Sequence, residues 1–89
     1  MIYLITYELK SNRSYDSFYN AIKSYRGWWH YLDKTWLIKT AESPKSIYDK
    51  LKPTLDAADY LLIVKVDLQQ GNYFGFLNGD AWDWITKNR

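Results

Sequence analysis

Ile2-Tyr3-Leu4-Ile5-Thr6-Tyr7-Glu8-Leu9 is β-branched, aromatic or aliphatic at every position except Glu8. An unbroken run of this kind lacks the alternation of a half-wet strand and predicts a central strand covered on both faces. Lys10 to Ser14 is a polar break, with Ser14 placed as a helix N-cap and Asp16 facing the positive end of the helix dipole. Phe18, Ile22 and Tyr25 then recur at helical spacing, with Tyr15 and Tyr19 widening the stripe, and Gly27 is the expected stop.

Further out, Trp28-Trp29-His30-Tyr31-Leu32 and Thr35 to Thr40 are β-prone runs separated by Asp33-Lys34, the pattern of a hairpin. Ser43-Pro44 starts a second helix, whose apolar face is Ile47, Tyr48, Leu51 and Leu55 and which should kink or end near Pro53. Tyr60 to Asp67 is the longest β-branched run. Tyr73-Phe74-Gly75-Phe76 is expected as a short edge strand, and Asn78-Gly79-Asp80 as the cap of a tail helix of one or two turns through Lys87. The order β-α-β-β-α-β predicts an α+β, ferredoxin-like domain over residues 1–89. It has an antiparallel sheet, two helices on one face, a short terminal strand and a tail helix.

The 89 residues include seventeen aromatics (five Trp, nine Tyr, three Phe) and no Cys. A chain this short buries a modest core, and neither disulfides nor thiolate metal sites can add to it. The excess of large rings therefore points to a homodimer interface over the second sheet face. A net charge of +2 is too small to signal nucleic acid by charge alone. No apolar run approaches the roughly 18 residues of a membrane span, and Met1 to Ile5 is too short for a signal peptide. The expected setting is cytoplasmic, with no membrane partner.

Several of these strings together resemble a known family. Met1 to Leu9 as first strand, Trp28-Trp29-His30-Tyr31-Leu32, Thr35-Trp36-Leu37-Ile38, Asp49 to Pro53 and Ala81-Trp82-Asp83-Trp84 span almost the whole chain. They are similar to small bacterial and phage relatives of CRISPR-associated protein two, an uncharacterised subgroup with a ferredoxin-like fold. The resemblance implies a protomer that dimerises, often by exchange of its terminal strand. It also implies a carboxylate at the end of the first strand that faces the dimer mate and can hold a divalent metal. In that family the residue is usually an Asp after Tyr; here the matching position is Glu8, one methylene longer. Virulence-associated protein D, a toxin ribonuclease, shares the topology only.

The candidate site residues follow. Glu8, with its copy from a second subunit, could ligate Mg²⁺ or Mn²⁺; the competing reading is an ion pair with Lys10, Lys39 or Arg13. Ser11 and Arg13 lie in a polar loop opening a helix, where phosphate can bind, though the loop lacks the glycines of a true phosphate loop. His30 is the sole imidazole, and its aromatic neighbours make a structural role the simpler reading. Trp28, Trp29, Tyr31 and Trp36 could stack bases or build core and interface. The lysines are dispersed. Two classes of function stand. One is a non-enzymatic module binding nucleic acid, a nucleotide or a protein partner in a defence or counter-defence setting. The other is a metal-dependent ribonuclease or deoxyribonuclease using Glu8 from both subunits. An integration subunit serving a partner nuclease ranks behind both.

Overall fold

A computed structural model describes all 89 residues, Met1–Arg89. The elements are β1 (Ile2–Glu8), α1 (Asp16–Lys23), β2 (Gly27–Leu32), β3 (Thr35–Lys39), α2 (Pro44–Leu51), β4 (Tyr60–Val66) and α3 (Gly79–Asn88). The α+β reading holds, with one four-stranded sheet of order β2-β3-β1-β4, antiparallel at every pairing, and three helices. No helix is long and apolar enough to cross a membrane.

β1 is interior, with Ile5 opposite Trp36 of β3 on one side and Ile63 of β4 on the other. Successive side chains of a strand point to opposite faces. Tyr3, Ile5, Tyr7, Trp36 and Ile38 therefore share the face that packs on Phe18 and Ile22 of α1 and on Ile47 and Leu51 of α2. The other face turns Ile2, Leu37 and Trp29 toward Ala81 and Ile85 of α3, with Leu4 and Val66 beside them. Both faces of β1 are engaged, as its composition demands.

Local chemistry sets the helix ends. Ser43 accepts a hydrogen bond from the Ser46 amide at 3.1 Å, and Pro44 occupies the first helical position. Pro53 sits in a single 3₁₀ turn, Lys52–Thr54, beyond the end of α2. Asn78 caps α3 by accepting from the Ala81 amide at 2.9 Å. No buried side-chain nitrogen or oxygen lacks a partner.

Four sequence expectations need correction. α1 starts at Asp16 with Tyr15, not Ser14, at the N-cap position, and the Ser14 hydroxyl accepts from the Asp16 amide at 3.3 Å outside the helix. The helix ends at Lys23, where Ser24 returns its amide and hydroxyl to the last carbonyls. Gly27 is the first residue of β2. A Cβ there would stand 3.1 Å from Lys39 Cβ, so this glycine permits a close cross-strand approach rather than a helix stop. Tyr73 to Phe76 is no strand: Tyr73 stacks on Trp82 at 6.1 Å and Leu77 packs beside α3, so side chains rather than a ladder hold this segment. The tail helix is ten residues long, nearly three turns, because it covers one end of the second sheet face.

Phe18 is wholly buried between sheet and helices. Phe18→Ala should cost about 3–5 kcal/mol in urea unfolding at fixed protein concentration. Exposed Lys52→Ala should stay within about 0.5 kcal/mol.

Candidate functional site

The β2–β3 hairpin divides the aromatic string that the sequence presents as one set. Trp28 and His30 both contact Trp36 and so lie on the α1–α2 side, whereas Trp29 and Tyr31 pack on each other at 5.4 Å on the α3 side. A register irregularity between Trp29 and Leu32 bends the edge strand there.

His30 lies flat on Trp36, with ring centres 3.8 Å apart and planes 11° from parallel. Tyr19 of α1 is also nearly parallel to Trp36, at 6.2 Å. Trp28 leans on Trp36 at 5.6 Å and remains 40% exposed, and the Lys23 ammonium sits 5.6 Å from the Trp28 ring. Hydrogen bonds fix this group from within. The Trp36 indole N–H donates to the Tyr7 hydroxyl at 3.0 Å, and that hydroxyl donates to the Asp33 carbonyl at 3.4 Å. His30 Nε2 is 2.9 Å from the same carbonyl, which can only accept, so Nε2 carries the proton. Burial pushes the Tyr7 hydroxyl up to about 12, against a smaller lowering by the Trp36 bond, so it stays a neutral donor at any physiological pH. The outcome is a preorganised ring surface, open on one side and bordered by a cation. Such a surface stacks planar groups.

Glu8 ends β1 on the other sheet face, exposed and paired with Lys10 Nζ at 2.8 Å. The Lys10 hydrogen bond and charge hold its carboxyl below the usual range. No three His, Cys, Asp or Glu converge anywhere in the chain. One carboxylate already partnered by an ammonium does not fit a Mg²⁺ or Mn²⁺ site within a single copy.

Ser11 and Arg13 are engaged internally. Arg13 Nε pairs with Asp56 Oδ1 at 3.0 Å, its terminal nitrogen bonds the Thr54 carbonyl, and its plane lies over the Tyr15 ring at 4.6 Å. The Ser11 hydroxyl accepts from the Arg13 amide at 3.2 Å. These residues tie the β1–α1 loop to the segment entering β4 rather than framing an open anion site.

Sequence reasoning missed the hub of that tie, Asp59, which is 8% exposed. It accepts from the Lys10 amide at 2.7 Å, the Asp56 amide at 2.8 Å and the Tyr15 hydroxyl at 2.9 Å. Only its place just before a strand could have drawn notice. Also missed was an apolar groove of about 370 Å³ between the second sheet face and α3, walled by Leu4, Trp29, Leu37 and Trp82. Its lip carries Phe74 and Phe76, both fully in solvent.

Burial raises the Asp59 carboxyl, but the two amides and the Tyr15 hydroxyl outweigh it and leave the value below the ordinary one. A carboxyl depressed in the folded state contributes stability that is full above its unfolded value, about 4, and is lost as pH falls through the folded value. Tyr15→Phe should raise the Asp59 midpoint in a carboxyl-carbon NMR titration, and Asp59→Asn should flatten the loss of stability below about pH 4.

No family model, curated protein or solved structure matches this chain.

Proposed function

We propose that this chain is a ferredoxin-like protomer, akin to the small relatives of CRISPR-associated protein two. In this reading it acts as a cytoplasmic, homodimeric, non-enzymatic binding module for nucleic acid or a nucleotide in a defence or counter-defence setting. The strand order β2-β3-β1-β4 supports the fold type, since both parallel crossovers, β1-α1-β2 and β3-α2-β4, then straddle one intervening strand. The observation that carries the function is the ring surface of Trp28 and His30 seated on Trp36, with Lys23 at its border. Bases stack on such rings without sequence preference, and the flanking cation answers the phosphate.

Indole fluorescence titrated with single-stranded RNA and DNA should report binding that weakens as salt rises. The double variant Trp28→Ala/His30→Ala should bind roughly 5- to 150-fold more weakly. Equal affinity of parent and variant would contradict the reading.

A second reading keeps Glu8. It stands exposed and ionised on the face that a dimer would cover, where a symmetry mate could bring a second carboxylate. Labelled RNA and DNA incubated with Mg²⁺ or Mn²⁺ should remain intact if the module only binds. Cleavage by the parent that vanishes in Glu8→Ala would replace the binding-only reading with an endonuclease.

A further inference from the structure

We infer that the apolar groove between the second sheet face and α3 receives Phe74 and Phe76 of a second copy of this chain, each copy filling the other's groove. This rests on the homodimer reading and assigns its interface. The arch from Tyr73 to Leu77 is anchored at both ends, by Tyr73 stacked on Trp82 and by Leu77 packed beside α3. Between the anchors Gly75 passes over the Trp82 indole, where a Cβ would stand 3.6 Å from Cη2. Phe74 and Phe76 flank that crossing and are 103% and 102% exposed, the two most exposed hydrophobic residues of the chain. Held by its anchors, the arch leaves both rings in solvent at the lip of the groove rather than packed against its floor.

The groove has the complementary shape and chemistry. Its volume of about 370 Å³ lies within the range of sites that take small aromatic groups, and its lining is Leu4, Trp29, Leu32, Leu37, Trp82 and Ile85 with the arch itself. The sheet face continues the apolar surface beyond the groove. Tyr60, Leu62 and Val64 lie opposite Glu8, Thr6 and Leu4 in the β1–β4 register, and Leu62 is 58% exposed.

Three features favour a second copy as the occupant. First, the chain itself carries both the projecting rings and the receiving groove side by side, so one two-fold axis satisfies both grooves and closes the assembly at two. Second, from Leu4 across Thr6, Thr35, Leu62 and Val64 this face bears no charge, and the Glu8–Lys10 pair at its rim is internally neutral, so like-charge repulsion between copies is small. Third, the area suffices. Two Phe rings bring roughly 300–500 Å² per copy. With Tyr60, Leu62, Val64 and Leu32 the patch approaches the ~800 Å² per partner of a standard interface.

The test mixes two preparations of the full chain, both deuterated, one carrying protonated Leu methyls and the other protonated Phe. Any Phe-to-Leu nuclear Overhauser effect is then intermolecular. The expected result is transfer from Phe74 and Phe76 to the methyls of Leu4 and Leu37, and a dimer dissociation constant at least tenfold higher in Phe74→Ala/Phe76→Ala. That variant should keep the dispersed amide spectrum of the parent, since neither ring contributes to the fold. Transfer reaching only Leu62, with the double variant dimerising like the parent, would overturn this interface while leaving the homodimer standing. Monomeric diffusion of the parent at micromolar concentration would overturn both.

Discussion

β1 is hydrogen-bonded to a neighbour along both edges, and its side chains alternate between two faces that both need cover. Two helices close the first face over Tyr3, Ile5 and Tyr7. The second face has only α3, which spans ten residues and covers Ile2, Leu37 and Trp29 but leaves Leu62, Val64 and Tyr60 in water. Within residues 1–89 no other helix or strand covers that part of the face. The large rings gathered around that gap follow from the same constraint, and so does the groove beneath the Phe74–Phe76 arch.

The buried face also builds the surface site. Trp36 belongs to the core, yet it is the bed on which His30 lies and the donor that orients Tyr7. Asp33, in the hairpin turn, gathers both Tyr7 and His30 on one carbonyl, so turn, core and surface ring are fixed together. A ring pair held this way loses little freedom when a planar ligand stacks on it, and preorganisation of that kind favours binding. The two aromatic groups thus separate by face: Trp28 and His30 toward solvent beside α1, Trp29 beneath α3.

Period and turn chemistry made the elements legible. The unbroken run at β1, the Ser43-Pro44 start and the Asn78 cap each carry a local physical signal, and each sits where that signal points. Gly27 misled because a glycine after a helical stripe looks the same whether it ends a helix or lets two strands approach; the deciding atom, Lys39 Cβ, is twelve residues away. Tyr73 to Phe76 misled in the same manner, since β-prone residues make a strand only where a ladder partner exists. Of the candidate site, the Glu8 ion pair with Lys10 was among the readings its near neighbours offered, whereas Arg13 was legible as a charge but not as one already paired with Asp56. Asp59 was invisible as a hub because its partners come from residues 10, 15 and 56. The division of the Trp28-to-Trp36 string between two faces depended on the register of the hairpin, which residue types alone do not fix.

The exposed half of the second sheet face is where the proposed second copy would sit, and that proposal is directly measurable. Sedimentation equilibrium of the intact chain across micromolar concentrations should return twice the chain mass of 10.7 kDa. A mass of 10.7 kDa throughout, with Leu62 and the two Phe rings left in water, would contradict it.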